Sequence, residues 1–416
     1  MALIGALSSG RTGLVNSGNE LVVIGNNIAN AETVGFKASR TEFADLISAQ
    51  SGGTSADIGL GSTIADVRTL FDQGTVQNTG RSLDLAINGQ GFFVLREGTG
   101  QVFTRAGNFS LQANGAVTNT VGNVLQGSPL NQDGTVAGPV GDVVIGGITS
   151  QAKATANVAV TGNLQSDAPT TAFPSGTPTE AQAYANSSFA TSVQVYDSLG
   201  KAHNLLLFFS RTGTNTWDVN VGVDAADTGG TPGTVQVIGT STLQYNPTGT
   251  VQSGGTVSAS VSFTGATTNQ PITLDLTNLT QFAGTSGISA VTQDGFGAGG
   301  LASLSVNAKG ILSATFDNGQ SRPLYQLAIA QFNAPEGLAS EGNQTYHATV
   351  DSGPPAIATA GSQGTGTIVS GALEQSNVQI AQEFINLISA QRSFEANARV
   401  VSGSDQMLQD LVNIVH

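Results

Sequence analysis

The chain has 416 residues, of which 39% are hydrophobic and only 10% charged, with 54 glycines and no cysteine. One hydrophobic core rarely serves more than roughly 250 residues, so two to four domains are expected, β-rich and turn-dense rather than disordered. The net charge of −14 comes from 28 acids against 14 scattered bases. Without a basic stripe to neutralise phosphates, nucleic acid is not an expected partner. Disulfides and thiolate chemistry are excluded. No stretch approaches the ~20 apolar residues of a membrane span, so no membrane insertion is expected. The opening MALIGALSSGRTGLVNSGNE also lacks the basic and then apolar regions of a cleaved secretory signal.

In chain order, residues 1–33 read as a helix. Leu3, Leu7, Gly10, Leu14, Ser17, Leu21, Ile24, Ile28 and Ala31 recur at alternating steps of four and three, a heptad seam. Gly10 and Ser17 are small enough to let a neighbouring helix approach closely. Residues 34–69 read as an extended linker, and 70–144 as the first part of an inner β domain, where Asn114-Gly115 supplies a hairpin turn. From 145 to 292 the chain is rich in Thr, Ala, Ser and Gly, and reads as an inserted outer β-barrel or sandwich domain. Within it, Asp167 to Glu180 reads as a long surface loop, and Thr191 to Val221 as paired strands carrying the one tryptophan, Trp217. Residues 293–361 return as the second part of a discontinuous inner β domain, and 362–371 as a linker.

Residues 372–416 read as a second helix, with Ile380, Phe384, Leu387, Gln391, Phe394, Ala398, Val401, Asp405, Leu408, Val412 and Val415 in the same rhythm. A continuous helix from Ala372 to Val415 would be about 66 Å long. None of the 12 prolines falls before Pro129 or after Pro355, which leaves both ends free of helix breakers. The expected fold class is therefore mainly β with α-helical termini, the two helices pairing as a coiled coil. A helical hairpin internal to one globular domain is the plainer alternative.

Chemistry is hard to find. His203, His347 and His416 lie far apart in sequence, with no metal-ligand spacing. The phosphate loop and the G-x-S-x-G elbow are missing, and Asp84, Asp133 and Asp317 sit in turn-like contexts. No catalytic, cofactor-binding or metal site is expected. What remains is the pair of ends, the pattern of a subunit that buries its helices only in an assembly. The residues expected to carry self-assembly are Leu7, Leu14, Leu21, Ile24 and Ile28 in the first helix. In the second they are Ile380, Phe384, Leu387, Phe394, Val401, Leu408 and Val412.

The run LVVIGNNIANAETVGFKASRTEFADLI, Leu21 to Ile47, resembles the signature of the rod and hook axial proteins of the bacterial flagellum. Gly25, Asn26, Asn27, Ile28, Ala29, Asn30, Gly35 and Phe36 carry that likeness. The asparagines are suited to ending the helix, and Gly35 to the bend after it. Ser370 to Val415 is similar to the matching C-terminal helix, with Ser376-Asn377-Val378 as cap and first turn. Arg81 to Leu95 and Phe103 to Gly115 are similar to the shared β domain. Val195 to Phe209 and Glu336 to Gly353 favour the hook branch, with a distal rod protein bearing an insertion as the alternative.

The resemblance implies a homopolymer forming a curved hollow tube that transmits torque from rod to filament. It also implies export through the flagellar type III apparatus without a cleaved signal. The implied partners are the distal rod protein, the hook cap protein and the hook–filament junction proteins.

Overall fold

The computed structural model describes residues 2–47 and 59–414. Val415 and His416 lie outside the described residues, as does part of the expected linker. The chain divides into two compact units. The first comprises Met1–Gly147, Ser303–Thr315 and Ser321–His416, and the second Ile148–Ala302 with Phe316–Gln320.

The first unit contains both helices. The N-terminal helix runs Ala2–Ala29 and the C-terminal helix Ile380–Ile414. Gly10 faces Val400 and Val401 while Gly13 faces Asn397, so the two run antiparallel. The C-terminal helix begins later than expected. Ala372–Glu374 is a strand paired with Val76–Asn78, and Asn377 is drawn sideways to Ala38 and Leu70, which delays helix entry to Ile380.

The expected linker at 34–69 is instead an antiparallel ribbon, Ser39–Ile47 against Gly59–Thr69. It lies along the N-terminal helix, where Asn16 Nδ2 donates to Ser62 O at 2.8 Å. A Cβ on Gly61 would stand 2.1 Å from Thr12 Oγ1. Likewise, the expected linker at 362–371 contains a strand, Thr367–Ser370, paired with Leu85–Asn88.

Among the described residues the main sheet of this unit has twelve strands. Ser321–Gln331, which follows the insertion, pairs on one side with strands that precede it. Its Tyr325 pairs with Pro129 and its Ile329 with Phe93. One sheet is thus built from two distant stretches of chain, around a core that includes Phe92, Val94, Phe103, Ala330 and Phe332.

The second unit holds two five-stranded sheets. One is the meander Phe189–Tyr196, Ala202–Gly213, Thr216–Asp224, Val235–Tyr245 and Val251–Ser253. The other is built around Asn157–Gln165. Their inner faces share a core in which alternate residues point inward, as pleating requires: Leu205, Leu207 and Phe209 beside Trp217, Val219 and Val221. Trp217 is fully buried, and its indole N–H donates to Gln281 Oε1 at 3.2 Å. The intervening Leu206 and Phe208 are buried on the opposite face. There the segment expected to be a surface loop packs Phe173 on Phe208 at 5.3 Å, beside the capped helix Glu180–Ala185.

The second unit closes later than the expected boundary at 292, because its entering and leaving strands bind each other. Lys153 and Phe296 exchange both backbone hydrogen bonds at 2.9 Å, and Ser150 bridges to Gly299. Asp294 clasps this base by accepting from the Ala156 and Asn157 amides, each at 2.9 Å. Burial alone would raise its pKa. Those two amides, with Asn157 and Lys153 side chains, overcome burial and hold it down at about 2.

A folded-state pKa below the ordinary carboxylate value of about 3.9 adds stability that is complete above pH ~4 and lost as pH falls through about 2. Urea unfolding followed by Trp217 fluorescence should therefore weaken across that window in the native chain. Asp294→Asn should flatten this acid branch, and an unchanged pH profile would refute the clasp.

Candidate functional site

The ends of the N-terminal helix and the start of the C-terminal helix meet the sheet at one buried junction. Asn30 Nδ2 donates to Asn26 O at 2.9 Å, closing the helix end. Asn27 is buried and acts as a surrogate strand residue: its Nδ2 donates to Ser39 O and its Oδ1 accepts from Ser39 N, at 2.8 and 2.9 Å. Gly35 takes φ +70°, and a Cβ there would lie 2.6 Å from Ala106 N, so both conformation and space require glycine. Its N–H donates to Glu374 O at 2.8 Å. Of the other signature positions, Gly25, Asn26 and Ala29 are exposed, while Ile28 and Phe36 are half-buried.

At the centre lies an ion cluster. The side chains of Lys37 and Glu374 are wholly buried, with Nζ 2.6 Å from Oε1. Arg105 approaches Glu374 Oε2 at 3.4 Å, and Gly74 N donates to Oε1 at 3.0 Å. Carbonyls take further donors, Lys37 Nζ giving to Asp72 O at 2.7 Å and Arg105 Nη2 to Gly89 O at 2.8 Å, while Arg105 Nε is buried without a partner among the described residues. Burial pushes the pKa of Lys37 and of Arg105 down, with Glu374 opposing in each case. Lys37 was visible as the end of the sequence signature. Glu374 and Arg105 were missed because they are far away in sequence and isolated charges carry no periodic signal.

The helix faces divide differently from the expected seam. On the N-terminal helix, Ile24 is buried, and Leu7, Leu14, Leu21 and Ile28 are half-buried. On the C-terminal helix, Leu387, Val401 and Leu408 are half-buried, alternating with Ala390, Asn397 and Ser404. Ala390 and Ser404 are fully packed. The intervening residues of the expected seam point elsewhere: Ile380, Phe384 and Phe394 are 47%, 50% and 41% exposed. Ile385 and Ile388 widen this exposed apolar face. Val412 lies on the same helix.

Two histidine clusters also come from tertiary folding. His203 is buried between Asp197 and Asp227, stacked on Phe263 at 3.9 Å, where it braces the turn Asp197 to Lys201. His347 Nε2 sits 2.6 Å from Glu341 Oε2 at the surface, and Glu97 is nearby. That trio offers ligand types for a cation, but the close His347–Glu341 contact accounts for its geometry.

Comparison with known proteins agrees along the chain. Residues 7–37 match the family described as "Flagella basal body rod protein" and 86–165 "Flagellar hook protein FlgE/F/G D1 domain". Residues 163–296 match "Flagellar basal body protein FlaE D2 domain", and 369–414 "Flagellar basal body rod FlgEFG protein C-terminal". The flagellar hook protein FlgE of Escherichia coli (strain K12) is 36% identical over 98% of this chain and 100% of its own length. The chain belongs to the flagellar hook protein family. Hook proteins of Treponema pallidum (strain Nichols) and Brucella suis biovar 1 are 34% and 32% identical, covering 98% and 100% of this chain and 99% and 100% of their own. Membership makes this a structural protein of the flagellar hook and basal body, acting in motility by polymerising with hook and rod subunits.

The junction cluster has a measurable consequence. Removing Glu374 leaves two buried cations without their counter-charge, whereas removing Lys37 leaves Glu374 paired with Arg105. Glu374→Leu should cost about 3–5 kcal/mol of first-unit stability, and Lys37→Met distinctly less. Calorimetry of the first-unit transition checks the order, which is wrong if Lys37→Met proves the more damaging change.

Proposed function

We propose that this hook subunit polymerises through its helical ends into a curved hollow tube that carries torque from the rod to the filament. The observation that carries this reading is the full-length likeness to hook proteins, joined to a C-terminal helix whose largest apolar residues face outward. Among the described residues nothing covers Phe384, Ile385 and Ile388, and copies of the chain would supply a partner face. The distal rod reading is not favoured, because the relatives matched from end to end are hook proteins.

On this reading the partners are further hook subunits, the distal rod protein, the hook cap and the hook–filament junction proteins. The route is the flagellar type III export apparatus, without a cleaved signal, to the cell exterior. Helices whose mutual contact is built on Gly10, Gly13, Ala390 and Ser404 bind each other weakly enough to travel unfolded and order on assembly. The role is structural and asks for no catalytic step.

Assembly should fail while the β units stay folded when the chain is cut before Leu408, or when Leu21 or Phe394 becomes Asp. Electron microscopy of hooks from complemented hook-deficient cells, with circular dichroism of the purified variants, reads both halves. Normal curved tubes from these variants would defeat the assignment of assembly to the helical ends.

A further inference from the structure

The two helices each keep a second face free, and these faces are complementary. On the N-terminal helix, Arg11, Val15, Val22, Gly25 and Ala29 are exposed, and Gly18 falls on the same line. Val15 and Val22 are 58% and 70% exposed, while a Cβ at Gly18 or Gly25 would meet nothing within 4 Å. This stripe therefore presents alternating ridges and gaps to solvent at heptad spacing. It is separate from the face carrying Gly10 and Gly13, which the chain's own C-terminal helix covers.

On the C-terminal helix the face turned away from the N-terminal helix carries Ile380, Phe384 and Ile388, followed by the exposed Glu395. Large residues here match gaps there. In a helical polymer all copies share one polarity. A helix pair antiparallel within each copy therefore stays antiparallel between copies, when both helices follow the polymer axis.

We infer that the Val15–Ala29 stripe of one copy packs antiparallel against the Ile380–Ile388 face of the next. Setting Val22 beside Phe384 places Ile388 over Gly18, Ile380 level with Asn26 one residue past Gly25, and Arg11 opposite Glu395. Ile388 and Ile380 reach the gaps at Gly18 and beside Gly25, Val22 and Phe384 lie side by side between them, and opposite charges meet at the end. The face given differs from the face received, so the contact is heterologous, the kind from which an open helical polymer is built when its rotation does not close a ring. This inference rests on the hook reading and names the surface through which copies join.

The chain lacks cysteine, so engineered pairs report without background. Assembled hooks of Val22→Cys/Phe384→Cys, oxidised and run on denaturing gels, should give a ladder of multimers, with neither single variant extending beyond dimers. Hooks that form normally but give no ladder would overturn the register. In case the cysteines impair assembly, Arg11→Glu and Glu395→Arg should each lower hook number at least tenfold, and the double reversal should restore it. Single reversals that assemble like wild type, or a double reversal that does not recover, would equally overturn it. Wild type run alongside separates the two readings, since its failure to build hooks would count against the hook assignment itself.

Discussion

A buried carboxylate organises the first unit. Glu374 draws Lys37 from the exit of the N-terminal helix and Arg105 from the sheet to a single point, just before the C-terminal helix begins. Burying three charges is costly, and an apolar cluster of the same volume could hold the elements together as well. What the ions add is exclusivity. Only one approach of helix exit, sheet and helix entry lets every charge find its partner, and Gly35 admits that approach because no larger residue fits against Ala106. The direction in which both helices leave the sheet follows from this point.

The two ends read well from sequence, because heptad rhythm and absent proline survive without tertiary information. Phase did not. A four-three rhythm through Leu387, Val401 and Leu408 can be completed on either side, by Phe384 and Gln391 or by Ala390 and Asn397. Hydrophobicity favours the first choice, and the structure takes the second inside the chain. The phase is set by close approach: Gly10 lies against Val400 and Val401 and Gly13 against Asn397, positions a larger residue on the N-terminal helix would push away. The ribbon at Ser39–Ile47 and Gly59–Thr69 was missed for a related reason. Its strands pack on a helix through Asn16, Ser62 and Gly61, polar and small residues that read as linker.

The β units were legible in outline, since alternation and Asn-Gly or Asp-Gly turns mark strands directly. Their edges were not. The second unit extends to Ala302 because Lys153–Phe296 and Ser150–Gly299 pairings close its base, and pairing between distant residues leaves no local trace. Similarly, Phe173 looks like a loop residue until Phe208, whose strand neighbours face the other way, needs a cover. The ion cluster belongs to the same class of feature, fixed by tertiary meeting and invisible to periodicity.

The apolar residues of the C-terminal helix are divided between two faces, with Leu387, Val401 and Leu408 inward and some of the largest outward, which a solitary helix pair would not select. Small or polar Ala390, Asn397 and Ser404 face the chain's own partner helix, while Phe384, Ile385 and Ile388 face out. A self-contained domain would lose stability and solubility by that exchange. A subunit gains from it. On the proposed assembly, its internal helix contact leaves Phe384, Ile385 and Ile388 for a further copy to cover, and ordering of the ends would be coupled to joining the polymer. The second unit shows the opposite economy, closing its core around Trp217 and its base around Asp294 from its own residues. One chain thus combines a part that is closed on its own with a part whose apolar face, on the proposed assembly, its neighbours would cover.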